Sequence, residues 1–502
     1  MNLQHKSTIA GSICFLSLLP AVAQDKPNVI FIAVDDMNDW VSPLGGTDNI
    51  NTPNLDRLAG MGVTFTNAHC AAPASAPSRL SVMTGVSPAR SGVMNNIWYD
   101  GPQWRNNDVL RNVMTLEQFF KANGYETLAG GKIYHTLAPP WLTINQGEGD
   151  SWDFWWPSAS MPLPYQISAP EEVSHPADIV GRRPNKYFTW GPIDCTDDKM
   201  IDHQLVEWAK YELGRERSGP LFMAVGFFRP HMPWEVPQKY FDMYPLDSIQ
   251  CPEICENDLE DAFDHGRRNW HRFVLRNDEW KHVLQAYKAS ISFADAQIGR
   301  LLDAIEASRY RENTVIVLWS DHGMHMGEKE NWEKFTLWEE STRVPLFFYV
   351  PGVTQGGVRN DAPVSLIDIY PTLADLIGKT VPETCDGESL VPLLKGEKVR
   401  HEYPLTAYRF DNSRGYSVRT EKYRYIYYPE AGLEELYDHE SDPDEFFNIA
   451  YEKEHKKVVR MFRRMLAERV SGLQEPDSQI PGYKISEDGA VRNENFKPLE
   501  IK

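Results

Sequence analysis

PNVIFIAVDD, residues 27–36, decides how the rest of the chain is read. From Asn28 to Val34 the run is apolar and rich in β-branched side chains, and it stops abruptly on Asp35 and Asp36. A strand with one wet face alternates polar and apolar residues, whereas a strand covered on both faces is apolar throughout, as strands of parallel sheets are. In such sheets ligands gather at the carboxyl ends of the strands. The stretch therefore predicts a buried parallel strand with chemistry at its last two residues.

The same signature recurs along the chain. PLFMAVGFFRPHMPW (220–234) is an apolar run that ends in polar residues, and NTVIVLWSDHG (313–323) ends on Asp321 and His322. Helical segments lie between them. NTPNLDRLAGMGV (51–63) has Thr52 at a cap position, Pro53 in the first turn and Gly60 near the stop. TLEQFFKANGY (115–125) carries the capping-box spacing of Thr115 and Gln118 and ends at Gly124. VLQAYKASISFADAQIGRLLDAIEAS (283–308) is a long amphipathic helix. Alternation of this kind predicts an α/β sandwich around a large, mostly parallel sheet. From about Gly415, GYSVRTEKYRYIYY alternates like an antiparallel strand. EELYDHESDPDEFFNIA (434–450) reads as a turn, and KEHKKVVRMFRRMLAERV (453–470) as a final helix. The tail is thus expected to form a smaller α+β subdomain.

Strand ends of a parallel sheet meet at one rim, so Asp35, Asp36, Asp321 and His322 are candidates for a shared site. Three carboxylates and an imidazole suit a divalent cation, and the oxygen-rich set favours Ca²⁺ or Mg²⁺ over Zn²⁺. A different question is raised by AAPASAPSR, residues 71–79. Pro77 pre-sets helical geometry and would aim helix N-terminal amides at whatever Ser75 touches, and Arg79 adds a fork suited to oxyanions. Yet no base stands beside Ser75, and a bare hydroxyl is a weak nucleophile.

Totals narrow the function. Residues 1–23 have the form of a secretion signal: Lys6, the apolar IAGSICFLSLLP, then AVA before Gln24. No later stretch is apolar for long enough to predict a membrane span. A formal net charge of −20 excludes nonspecific attraction to nucleic acid or anionic lipid, so an anionic substrate needs a local basic site. The six cysteines do not form a disulfide-dense pattern, and the spacing of Cys251 and Cys255 leaves their pairing open.

These motifs together resemble the type I sulfatases of the alkaline phosphatase superfamily. Their signature C/S-x-P-x-R stands here as Ser75-Ala76-Pro77-Ser78-Arg79, followed by LSVMTG. NVIFIAVDD, TPNLDRLA, GYETLAGGKIYH, AVGFFRPHMPW, SDHGMHMGEKENWEK and TRVPLFFYVPG extend the resemblance in order, and FRPHMPWEVPQKYFDMYPL is most similar to the iduronate-2-sulfatase branch. The resemblance implies an alkaline-phosphatase-like catalytic domain over residues 24–390 and a C-terminal subdomain over 391–502. It implies that a radical-SAM-type maturase oxidises Ser75 to formylglycine, whose hydrate is the nucleophile. Asp35, Asp36, Asp321, His322 and modified Ser75 would hold Ca²⁺, with Mg²⁺ second.

Arg79 would then orient the nucleophile. Lys132, His135, His231 and Lys334 would line the sulfate pocket, with His231 protonating the leaving alcohol and His135 releasing sulfate. The expected substrate is a sulfated oligosaccharide or polysaccharide, such as one bearing 2-O-sulfated uronate, and the expected location is the periplasm. A phosphodiesterase or phosphonate hydrolase of the same superfamily, or a catalytically silent glycan binder, are the competing readings. SWDFWWP (151–157) and Trp234 could face sugar rings or fill the core, and Arg229 and His325 could read a carboxylate or a second ring. Met324 stands where iduronate-2-sulfatase has a tryptophan, which leaves the sugar open.

Overall fold

The computed structural model describes residues 26–96, 102–135, 151–156, 188–266, 268–411, 413–473 and 480–499. The signal-like segment and the expected processing point at Gln24 lie outside them.

PNVIFIAVDD supplies β1 (Asn28–Asp35), which is buried along its whole length. It lies inside an eight-stranded sheet with β2 (Val63–Phe65), β3 (Glu126–Gly131), β4 (Phe154–Trp156), β5 (Leu221–Pro230), β6 (Thr314–Ser320), β7 (Leu346–Tyr349) and β8 (Val358–Asn360). Across the sheet the order is β8-β2-β7-β6-β1-β5-β3-β4, and only β7 runs against its neighbours. Both faces of β1 are covered, which is why its sequence does not alternate. Ile30, Ile32 and Val34 join one apolar layer with α4 (Ile201–Leu213) and α5 (Trp280–Ala307). Val29, Phe31 and Ala33 join the other, with α2 (Ser75–Thr84), α3 (Leu116–Ala122) and α6 (Ile369–Leu376). α1 (Pro53–Met61) begins with the proline expected of it and packs Leu55 and Leu58 on the first face. Each fully buried aliphatic or phenyl side chain contributes about 1.5–3 kcal/mol, so the doubly covered centre of the sheet is its most stable part.

The tail forms a separate four-stranded antiparallel sheet of β9 (Leu405–Arg409), β10 (Arg414–Arg419), β11 (Tyr423–Tyr428) and β12 (Leu433–Asp438), in sequence order. α7 (Lys456–Arg469) covers it, stacking Phe462 on Tyr425 with ring centroids 5.3 Å apart. Two details differ from the sequence reading. GYSVRTEKYRYIYY is a hairpin, turned at Thr420, whose N–H donates to the Tyr423 carbonyl at 2.8 Å. The start of EELYDHESDPDEFFNIA is strand, because Glu434 and Glu435 are buried and satisfied rather than solvated. Glu434 accepts from Tyr425 Oη (2.5 Å) and Arg463 Nε (2.7 Å). Glu435 accepts from Trp338 Nε1 (2.8 Å) and the Phe263 N–H (2.7 Å).

Candidate active site

The site begins where the ladder between β1 and β6 ends. Val34 pairs with Ser320, so Asp35 and Asp321 leave adjacent strands side by side. Short cross-links then stitch the two strand ends together. The Asp321 N–H donates to the Val34 carbonyl (3.2 Å), and the Asp36 N–H to Asp321 Oδ1 (3.1 Å). The Met37 N–H donates to Ser320 Oγ (3.0 Å). Asp36 sits at φ 60°, a left-handed conformation that aspartate tolerates better than most residues. One ligand atom from each of Asp35, Asp36, Asp321 and His322 falls within 4.8 Å of all the others, and all four residues are buried. The His322 ring is oriented by its neighbour: Nδ1–H donates to the Gly323 carbonyl at 2.9 Å, which leaves the Nε2 lone pair facing the carboxylates. Three carboxylates with an inward imidazole lone pair are a donor set that fits a divalent cation.

Three cations balance this buried charge. Arg79, wholly buried, donates Nε to Asp321 Oδ2 (2.8 Å) and Nη2 to Asp35 Oδ1 (3.1 Å). Its remaining bonds go to the carbonyls of Val34, Lys132 and Ile133. Arg79 therefore reaches the site through the carboxylates it locks in place. Lys132 Nζ pairs with Asp35 Oδ2, and Lys334 Nζ contacts both oxygens of Asp36 at 2.8 Å. Burial alone would push Asp35 and Asp36 up. For Asp35 it is overcome by Lys132, His231 and Arg79, and for Asp36 by His231 and Lys334, so both are held below the usual carboxylate range. Asp321 is raised, because burial outweighs Arg79 there.

Lys132 reaches Asp35 through a close backbone approach. Its N–H bonds the Gly226 carbonyl of β5 (2.8 Å), and a Cβ on Gly226 would lie 2.3 Å from the Lys132 carbonyl carbon. Glycine is required there for the two chains to pass.

Ser75 is the first residue of α2, preceded by extended Ala74. Its Oγ lies 2.9 Å from His322 Nε2 and 3.4 Å from Asp35 Oδ1, at the edge of the four-residue cluster. His231 follows β5, donates Nδ1–H to the Met232 carbonyl (2.6 Å) and turns Nε2 to within 3.7 Å of Asp36 Oδ2. Burial pulls its imidazole down to about 4. His135 is likewise held well below its ordinary value, by burial and then by Lys132.

Lys334 lies on a loop with left-handed backbone on either side, at Glu333 (φ 67°) and Phe335 (φ 75°). Each such non-glycine residue costs about 1–3 kcal/mol and persists only where its surroundings fix it. Much of the fixing comes from the C-terminal sheet. The Phe335 N–H donates to the Pro73 carbonyl (3.0 Å), and Trp338 Nε1 bonds Glu435. The Glu339 N–H donates to Glu445 Oε2 (2.8 Å). Arg424 of β11 donates Nη1 to the Leu337 carbonyl (3.2 Å), Nη2 to Glu339 and Nε to Glu445 (2.5 Å). Arg419 adds a bond to Glu339 at 3.1 Å, and His439 Nε2 lies 2.9 Å from Glu445 Oε1. Sequence reasoning did not find this clamp; its one signal is an arginine inside the apolar alternation of β11.

Other singled-out residues belong to the framework. Arg229 is buried and holds the carbonyls of His231 (3.2 Å) and Glu235 (3.1 Å), so it shapes the turn rather than facing a ligand. Trp152, Trp155, Trp156 and Trp234 are core. His325 is buried against Thr336. Cys251 and Cys255 are free thiols.

The sulfatase family profile matches residues 27–379, and the profile of the N-sulphoglucosamine sulphohydrolase C-terminal region matches 327–471. A sulfatase of Formosa agariphila is 39% identical over 453 residues, covering 88% of this chain and 86% of that protein. The iduronate 2-sulfatase of Mus musculus is 27% identical, covering 91% of this chain and 97% of its own length. Among solved structures, a 2-O GAG sulfatase superposes with a TM-score of 0.66 at 23% identity, covering 89% and 92% of the two chains.

Proposed function

Because this chain belongs to the sulfatase family and is a sulfuric ester hydrolase, we propose that it cleaves sulfate esters of sulfated carbohydrates, with Ser75 oxidised to formylglycine as its nucleophile. The observation that carries the reading is Ser75 itself. It opens α2 within 2.9 Å of His322, on the edge of a buried cluster of four potential ligands and beside Lys132 and Lys334. That is the local basic exception an acidic protein needs in order to hold an anion. The 27% identity to iduronate 2-sulfatase over nearly the whole chain supports a 2-O-sulfated uronate or a related polysaccharide unit as the substrate class.

Asp35, Asp36, Asp321, His322 and the modified Ser75 would hold Ca²⁺ in preference to Mg²⁺, and the ion when bound would stabilise charge on the sulfuryl oxygens. The side chains divide the remaining work. Lys132, paired with Asp35, and Lys334, paired with Asp36, orient an anion at the cluster. Arg79 fixes Asp35 and Asp321 and so keeps the ligands in place. His231, its Nδ1–H committed to a carbonyl, has only Nε2 free to give a proton to the departing alcohol. The charge of a bound sulfate ester favours the protonated imidazole, which burial otherwise disfavours. His135, kept neutral by burial, accepts the proton whose removal lets sulfate leave. The signal-like residues 1–23 support export to the periplasm.

The test uses protein coexpressed with a serine-type maturase. The Ser75 peptide should lose two hydrogens, and sulfate should be released from 2-O-sulfated uronate oligosaccharides or sulfated algal fragments, with Ser75→Ala inactive. With the aldehyde present and Ca²⁺ added, silence across the whole panel and hydrolysis of phosphodiesters instead would overturn the reading.

A further inference from the structure

Behind the hairpin that presents Lys334 lies a cavity of about 230 Å³, walled by the loop at 46–49, α5, the loop at 250–253, the 325–340 segment and residues 443–446. Its lining is acidic: Asp48, Glu253, Glu328, Glu339, Glu340, Asp444 and Glu445 face it, against two lysines. Both lysines are committed. Lys329 Nζ pairs with Asp258 at 2.7 Å, and Lys288 Nζ donates to the Asp48 carbonyl at 2.7 Å. Glu339 and Glu445 are taken by Arg424, Arg419 and His439. Glu328 and Asp444 have no lysine or arginine partner among the described residues, and Glu340 has only the charge of Arg343 near it. Burial pushes the Glu328 carboxyl up to about 7, with Asp39 and Asp444 adding to it, and pushes Glu340 well above its ordinary value, with Glu328 adding to that.

A second observation is independent of the carboxylates. His325, fully buried, lines the same cavity. The Thr336 hydroxyl donates to Ser341 Oγ (2.8 Å), so the 2.7 Å contact between Thr336 Oγ1 and His325 Nε2 requires the proton on Nε2. Nδ1 then carries a lone pair; it has no hydrogen-bond partner and lies 3.9 Å from Glu328 Oε2. Burial holds the ring down to about 3, so at neutral pH no proton bridges the pair from the imidazole side. His325 Nδ1 and Glu328 Oε2, which also accepts the Met326 N–H at 2.6 Å, thus face each other at the cavity, at a separation that two ligands of one metal ion can span.

We propose that this cavity is a second divalent-cation site, distinct from the Asp35 cluster, with His325 Nδ1 and the Glu328 carboxylate as its protein ligands. One imidazole nitrogen among carboxylates and water suits a first-row ion such as Mn²⁺. The site braces the hairpin: His325 pairs with Glu333, the residue before Lys334, and the Met324 N–H bonds the Glu340 carbonyl at 2.7 Å.

Metal-free full-length protein titrated with Mn²⁺, with free ion followed by its EPR signal, tests this directly. The wild-type chain should bind two ions, Asp36→Asn one, Glu328→Gln one, and the double variant none. His325→Gln, which preserves a donor to Thr336, should also bind one, and it serves where Glu328→Gln fails to fold. A wild-type chain that takes a single ion, or a folded Glu328→Gln that still takes two, overturns the proposal and leaves the cavity to water or a shared proton.

Discussion

Replacing Arg424 with methionine should reduce turnover although the residue lies in the other subdomain from Ser75. Arg424 is buried and holds Glu339, Glu445, the Leu337 carbonyl and Ser417 Oγ (2.9 Å). Removing one member of a buried ion pair costs about 3–5 kcal/mol, and since Arg419 and His439 remain, the lower end applies. The two left-handed residues around Lys334 store about 2–6 kcal/mol between them. The lost clamp and the stored strain are therefore of similar size, and the loop is free to relax. Lys334 then leaves Asp36, and loss of one well-placed charge-stabilising donor lowers kcat about 10²–10³-fold. KM should change much less. The assay compares kcat and KM on the matured enzyme with urea midpoints for the wild type, Arg424→Met and Arg424→Lys. The lysine variant keeps the charge without the fork and should fall between the other two. A folded Arg424→Met with a lowered midpoint but near-normal kcat would refute the coupling and leave the clamp a stabilising device alone.

Other outcomes follow from particular contacts. His401 is buried, which lowers its pKa, but the bond from Nε2 to Asp368 (2.9 Å), with Asp368 and Glu388 beside it, raises it overall. A raised folded value means that the pair stabilises fully below the ordinary histidine range and is lost as pH rises through the folded pKa. His401→Gln should thus cost about 1.5–3 kcal/mol near pH 6 and clearly less near pH 9, and equal deficits in denaturation at both would contradict this. Chelation should lower the Tm, and Ca²⁺ should restore it; saturation at about a hundred times Kd is worth about 2.7 kcal/mol. Asp321→Asn should abolish the Ca²⁺ response, and a variant that responds normally would remove Asp321 from the ligand set. Finally, protein recovered from the periplasm should begin at Gln24, which N-terminal sequencing decides.

The sheet centre was legible because double burial leaves a plain mark: an unbroken apolar run closed by acids, at residues 28–36 and again at 314–322. Helices with proline starts and glycine stops were equally plain. The candidate site was half legible. Asp35, Asp36, Asp321 and His322 could be grouped from strand ends alone, while Lys132, His135, His231 and Lys334 needed the family resemblance, since an isolated lysine or histidine carries no mark of where it points. What stayed hidden is long-range and polar. Glu434 and Glu435 disguised β12 as a turn because composition cannot tell a solvated carboxylate from a buried one paired across 29 residues with Arg463 or across 97 with Trp338. Arg424 and Glu339 were hidden for the same reason.

The register that pairs Val34 with Ser320 has a further consequence. The bite between Asp35 and Asp321 is inherited from the spacing of neighbouring strands, about 4.8 Å, and not from side-chain packing that mutation can adjust by degrees. A slip of either strand by one residue would turn its acid to the opposite face of the sheet, so intermediate geometries are not on offer. Such a centre is digital: it is either whole or absent. Selection for a new sugar or a new ester must then act on the loops around the rim, while the core passes unchanged from one substrate to the next.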